Sequence, residues 1–125
     1  KTIPNLSRID RQFLEQLEAI VFDNRRNEAF NVVTLAQLLY MSRSNLFRKM
    51  KTLVNQKPND YIRNSRLDHA MFLLKTEKEQ VAYVAMEVGF SDSKYFSRRF
   101  KARFGLSPNQ VLREQIVTKQ ESLAI

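Results

Sequence analysis

Residues 81–104, VAYVAMEVGFSDSKYFSRRFKARF, decide the fold, because residues 32–54, VVTLAQLLYMSRSNLFRKMKTLV, repeat their pattern. Each stretch reads as a short helix, a tight turn and a longer helix rich in Lys and Arg. On a helical wheel Leu46, Met50 and Leu53 share one face of the first longer helix, while Ser44, Arg48 and Lys51 share the opposite face, flanked by Phe47. Fifty residues on, Phe96 and Phe100 take the inward positions, and Lys94, Arg98 and Lys101 the outward ones, flanked by Ser97. For the short helices the offset is forty-nine: Leu35 and Ala36 match Val84 and Ala85, and Met41 matches Phe90. The second turn is therefore one residue longer than the first.

A small residue at position 36 or 85 lets two helices cross closely, and an apolar residue in the turn plugs the corner. The longer helix then projects its basic face as a rod that fits a major groove. Arginine can pair bidentately with guanine O6 and N7, while Ser, Lys and amides at helix N-termini hold phosphates. Two such units joined by one rigid helix would reach successive major grooves of one DNA face, about 34 Å apart. Two basic helices could also dock on an acidic protein partner. RNA is disfavoured, since stacking aromatics do not line the basic faces.

Outward from the repeat, helical periodicity continues and no alternating Val/Ile/Thr-rich run is bounded by turn signals. An all-α fold of seven helices follows, with two helix-turn-helix subdomains joined by a long central helix. The first helix is expected at about 10–25, capped by Asp10, with Phe13, Leu17, Ile20 and Val21 on one face. A second spans about 32–39, and Ser42 caps a third running to about Val54. Pro58 opens the central helix, which reaches Leu74, and a polar stretch at 75–80 ends it. A fifth helix over 81–88 stops at Gly89. Asp92 caps a sixth that stops at Gly105, and Ser107-Pro108 starts a seventh to about Val117. Residues 1–9 read as a linker from an upstream domain, 10–117 as the domain, and 118–125 as a frayed tail.

Charge marks the same segments. The net charge is +8, yet residues 42–66 alone sum to +6 and residues 92–104 to +4. Clustered cations of this kind are the footprint of polyanion binding. With 43% hydrophobic residues, 125 residues bury a core without a metal or disulfide. No cysteine and one histidine, His69, exclude a thiol nucleophile, a disulfide framework and a zinc finger. His69 reads as an ordinary helix residue, and Glu77 and Glu79 as solvated charges. No nucleophile, phosphate loop or convergent polar set accompanies them, so no enzyme and no cofactor is expected. No apolar run suggests a membrane span. The start, Lys1-Thr2-Ile3-Pro4-Asn5, lacks the apolar core of a signal peptide, and the chain reads as a cytoplasmic piece of a longer protein.

Several stretches carry a resemblance: residues 41–49 from Met41 to Lys49, Pro58 with Tyr61-Ile62-Arg63 and Arg66-Leu67, and above all Val88-Gly89-Phe90-Ser91-Asp92. The last continues through Tyr95-Phe96-Ser97-Arg98, Phe100-Lys101, Phe104-Gly105 and Ser107-Pro108. Together, over about 30–112, they resemble the C-terminal domain of the AraC/XylS family of transcription regulators. The resemblance implies double-stranded DNA as partner. By position it gives base-reading roles to Ser44, Phe47 and Arg48 in the first unit, and to Ser93, Lys94, Ser97 and Arg98 in the second. Phosphate contacts fall to Ser42, Arg43, Lys51, Arg63, Arg99 and Lys101. Phe47 reads equally well as core or as a thymine-methyl contact. Arg63 and Arg66, on the central helix, read as phosphate clamps or as partners of buried carboxylates. The start from Asp10 to Leu17 and the run from Met41 to Ser44 are especially similar to output domains of hybrid two-component regulators. That similarity implies a sensor or receiver domain upstream and a membrane-anchored parent, whereas a small-molecule-binding barrel there would mark a ligand-responsive regulator; the wider family resemblance implies RNA polymerase as a partner and dimerisation through other domains. Two departures stand out. Tyr40 occupies the turn position that Gly89 fills in the second unit, which demands a positive φ or an altered turn. Lys57 precedes Pro58 where a capping Ser or Thr is usual.

Overall fold

The computed structural model describes residues 6–77 and 79–123, with side chains as far as Gln115. Among these residues the chain forms seven α-helices and no strand. They are α1 (Arg8–Asp23), α2 (Val32–Leu38), α3 (Arg43–Val54), α4 (Pro58–Thr76), α5 (Val81–Glu87), α6 (Ser93–Phe104) and α7 (Pro108–Leu123). None is long and apolar enough to cross a membrane. The chain divides into two compact units. One comprises residues up to 24 and 29–62, the other residues 25–28 and everything from Arg63 on. The central helix α4 begins in the first and ends in the second.

In the first unit the inward stripe of α1, Phe13, Leu17 and Val21, meets Leu35 and Ala36 of α2 and Leu46 and Met50 of α3. Leu17, Leu35, Leu46 and Met50 are completely buried, so the period of 3.6 in the sequence is matched by packing. Met41 and Leu53 pack against this core from half-buried positions. In the second unit Leu67, Ala70 and Leu74 of α4 enclose Val84 and Ala85 of α5 with Phe96 and Phe100 of α6. The phenylalanines form a tilted series: centroids lie 5.1 Å apart for Phe90 and Phe96, 5.7 Å for Phe96 and Phe100, and 4.7 Å for Phe100 and Phe104. Such edge-tilted pairs suit the ring quadrupoles, and all four rings serve the core.

Helix ends differ from expectation in places. Ser7, not Asp10, caps α1: its Oγ accepts from the Asp10 amide at 3.1 Å. Asp10 is the third helical residue, where its carboxylate favours the positive end of the helix dipole. The helix stops at Asp23, and Arg25 belongs to the other unit. At the far end α4 continues two residues past Leu74. The last helix runs to Leu123, through a Thr-Lys-Gln-Glu run of mostly adequate helix formers, where fraying was expected after Thr118. Of the expected linker at 1–9, residues 1–5 lie outside the described residues, as do 124–125 of the tail.

The repeat also extends further than the two helix pairs. Asn55 and Gly105, fifty residues apart, close α3 and α6 in the left-handed conformation, with φ of 53° and 78°. Pro58 and Pro108 follow at the same spacing, open α4 and α7, and are both buried. The caps before them differ. Ser107 Oγ accepts from the Gln110 amide while Gln110 Oε1 accepts from the Ser107 amide, a reciprocal capping box that Lys57 cannot supply in the first unit.

Candidate nucleic-acid interface

The two short helices before the candidate reading helices end in the same way. At the first, the Tyr40 amide donates to the Gln37 carbonyl (3.1 Å) and the Met41 amide to the Ala36 carbonyl (3.0 Å). At the second, Gly89 donates to Met86 (3.1 Å) and Phe90 to Ala85 (2.9 Å). This is the paired Schellman pattern, which satisfies the last carbonyls of the short helix and requires one left-handed residue. Gly89 supplies it at φ 86° and Tyr40 at φ 55°, so the Tyr adopts the positive φ with the turn intact. Its side chain is 96% exposed. One residue after Met41, Ser42 caps α3 by accepting from the Asn45 amide at 3.1 Å. In the longer second turn Asp92 caps α6, accepting from Lys94 (2.9 Å) and Tyr95 (3.2 Å).

From these caps, the buried side of each helix fixes what its other side presents. Leu46 and Met50 point inward from α3, and Ser44, Arg48 and Lys51 lie exposed at i, i+4 and i+7. Ser42 and Arg43 are exposed at the N-terminal end, and Phe47 is 41% exposed, outside the core. Phe96 and Phe100 point inward from α6, and Lys94, Arg98 and Lys101 are exposed at the matching positions with Ser93; Ser97 is half-buried. Each unit thus brings its own candidate base-reading residues onto one helix, while Arg63 lies apart from them on α4.

Not every cation of the two basic segments joins these stripes. Lys49 turns back on α1, with Nζ 3.5 Å from Asp10 Oδ1 and 4.9 Å from the Phe13 ring centroid. Arg99 shares its register in α6 and is likewise half-buried, its Nε enclosed without a hydrogen-bond partner. Arg103 forms a bidentate pair with Asp68 of α4, at 2.8 and 3.0 Å. Arg63 is half-buried on α4.

Arg66 requires a correction, since it is neither a phosphate clamp nor the partner of a buried carboxylate. It is 8% exposed, and its Nη1 donates to the Gly89 carbonyl (2.9 Å) and Nη2 to the Asn27 carbonyl (2.8 Å). Burial pulls its guanidinium below the usual arginine value, with Glu28 opposing. Two carbonyl acceptors hold the charged form in place. The same side chain thereby fixes the corner from which α6 departs.

Sequence reasoning also missed the residues that hold the outward arginines. Arg48 Nη2 donates to Asn45 Oδ1, one turn earlier on α3. At the same register on α6, Arg98 Cζ lies 5.5 Å from the centroid of the Tyr95 ring. The fifty-residue offset pairs Asn45 with Tyr95 and so contained the signal. Among the described residues no group of three or more His, Cys, Asp or Glu could hold a metal.

A protein-family model described as a helix-turn-helix domain matches residues 35–114. A protein named histidine kinase P4 from Formosa agariphila is 41% identical over 105 residues, which cover 84% of this chain. The chain spans only 8% of that relative's length. Among solved structures, the C-terminal domain of AraT, a response regulator from Geobacillus stearothermophilus, superposes with a TM-score of 0.75 at 25% identity, covering 88% of both chains. The DNA-binding domain of the global transcriptional factor AdpA, solved in complex with a target DNA, gives 0.77 at 27% identity, covering 86% of this chain and 96% of that one. With two helix-turn-helix units in tandem, this chain belongs to the helix-turn-helix family, in its AraC-type class of DNA-binding domains.

Proposed function

We propose that the chain is the sequence-specific DNA-binding domain of a transcription regulator, and that each unit sets its second helix in a major groove of duplex DNA. Ser44, Phe47 and Arg48 meet base edges from α3, and Ser93, Lys94, Ser97 and Arg98 from α6. Ser42, Arg43, Lys51, Arg63, Arg99 and Lys101 contact phosphates, Arg63 and Arg99 from half-buried positions. The two helices occupy successive grooves on one DNA face. The observation that carries this reading is the equivalent placement of Arg48 and Arg98, exposed on two helices with matching buried faces, each following a short helix that ends in the same hydrogen-bond pattern. An arginine so placed supplies the donor pair that guanine accepts. The target-DNA complex of AdpA supports the same reading.

The domain works by binding, without catalysis or cofactor, and in the cytoplasm. The kinase-named relative and the response-regulator neighbour support a parent regulator driven by a phosphorylation signal, with sensor or receiver domains elsewhere in its chain. RNA polymerase contact, dimerisation through those other domains and membrane anchoring of the parent complete the proposal. Its test is fluorescence anisotropy with a duplex selected from a randomised pool, competed by scrambled duplex at rising salt. The reading expects preference for the selected duplex by a factor of about 10³ or more and a steep log–log salt slope. Equal affinity for both duplexes would overturn it.

A further inference from the structure

The two outward arginines occupy equivalent positions but are held by different chemistry. Asn45 holds Arg48 by accepting a hydrogen bond from Nη2, which occupies a terminal nitrogen of the guanidinium. Tyr95 holds Arg98 by its ring, with Cζ 5.5 Å from the centroid. A ring attracts the cation through its quadrupole and uses none of the N–H donors. Behind Tyr95 lies the core: its centroid is 6.0 Å from that of Phe90, which is 5.1 Å from the fully buried Phe96. Arg98 therefore rests on a platform anchored in the second unit's interior, and among the described residues no hydrogen bond occupies its donor fork.

Bidentate recognition of guanine needs two N–H groups aimed together, and a side chain already confined to that orientation loses less freedom on binding. We propose that Tyr95 is a specificity-determining positioning residue, which braces Arg98 from the core side and sharpens discrimination at the base pair that Arg98 reads. The inference rests on the DNA-reading role given to α6 above.

The test is selection of binders from a pool of duplexes with a randomised central segment, scored as base enrichment at each position. Wild type, Arg98→Ala, Tyr95→Phe, Tyr95→Asn and Tyr95→Leu are compared. The position whose enrichment collapses in Arg98→Ala is the one Arg98 reads. Tyr95→Phe, which keeps the ring, should retain enrichment there. Tyr95→Asn, which copies the arrangement in α3, and Tyr95→Leu, which keeps apolar contact with Phe90, should each lower it about two- to fivefold, with other positions unchanged. Should the Asn variant fold poorly, the Leu variant carries the comparison. In the free chain, the Arg98 δ-methylene protons should be shifted upfield by the ring in wild type and Tyr95→Phe, and lose that shift in Tyr95→Leu. The proposal is overturned if Tyr95→Leu leaves enrichment at Arg98's position intact, or lowers every position alike. If wild type enriches no sequence, the DNA-reading role fails and the inference with it. If Arg98→Ala loses a position that Tyr95→Leu keeps, the inference alone fails.

Discussion

A methyl group added at Gly89 would lie 2.3 Å from the Arg25 carbonyl oxygen and 2.7 Å from Arg66 Nη1, while its φ stays at 86°. Backbone conformation and close packing thus both require glycine, and Gly89→Ala should destabilise the second unit by roughly 2 kcal/mol or more, measured by urea unfolding. Tyr40 is the converse case, a bulky residue holding φ 55° with its side chain in solvent. Tyr40→Gly should therefore raise stability by about 1 kcal/mol, through relief of left-handed strain partly offset by added chain entropy. No gain in the unfolding midpoint would show that the strain is smaller than this. His69 titrates in the fold with a value pulled below its ordinary 6.5, chiefly by burial and then by Arg25, against the pull of Glu87. The unfolded chain then takes up the proton more readily, so this group's contribution is intact above pH 6.5 and lost as the pH falls below it. His69→Gln should reduce the fall in thermal midpoint between about pH 6.5 and 5; an unchanged fall would assign it to the carboxylates. Arg66 shows what sequence conceals at this scale. Its acceptors are main-chain carbonyls, which leave no residue type to recognise, whereas a carboxylate partner would have done so.

Elements were the most legible scale, because burial repeats with helical period and each turn carries its own chemistry. Leu46 and Met50, like Phe96 and Phe100, could be assigned inward from spacing alone, and Gly105 could only follow a helix end. Helix starts were harder where two residues compete: Ser7 and Asp10 are both good caps by residue type, and Ser7 takes the role by accepting from the Asp10 amide. The caps at Ser42 and Asp92 set the first turn of each candidate reading helix. Ser42→Ala and Asp92→Ala should each cost about 1 kcal/mol in thermal or urea unfolding. The Asp92 variant should lose more, since that carboxylate accepts from two amides. The candidate site was legible as two exposed stripes, but not their true extent. Lys49 and Arg103 count as cations in the sequence, yet each is tied to an aspartate, Asp10 or Asp68.

At the scale of the whole molecule, the number of phosphates neutralised sets how binding responds to salt, and the arrangement of arginines sets what sequence is preferred. Neutralising phosphates with the proposed basic contacts predicts a log–log salt slope of about −4 to −5. Lys101→Ala should weaken all duplexes alike and reduce that slope by about 1, as anisotropy at several salt concentrations would reveal. A change in base choice in that variant would remove Lys101 from the phosphate contacts. The repeat at an offset of fifty makes the same demand twice over, and the tandem character of the molecule is carried by Arg48 and Arg98 together. The most direct measurement is therefore the base preference of Arg48→Ala and Arg98→Ala, each selected against the same randomised duplex pool. Each variant should lose preference at its own position, the two positions lying roughly 10 base pairs apart, with a cost of about 1–3 kcal/mol in binding the wild-type site. Loss at one shared position, or preferences identical to wild type in both variants, would contradict the account.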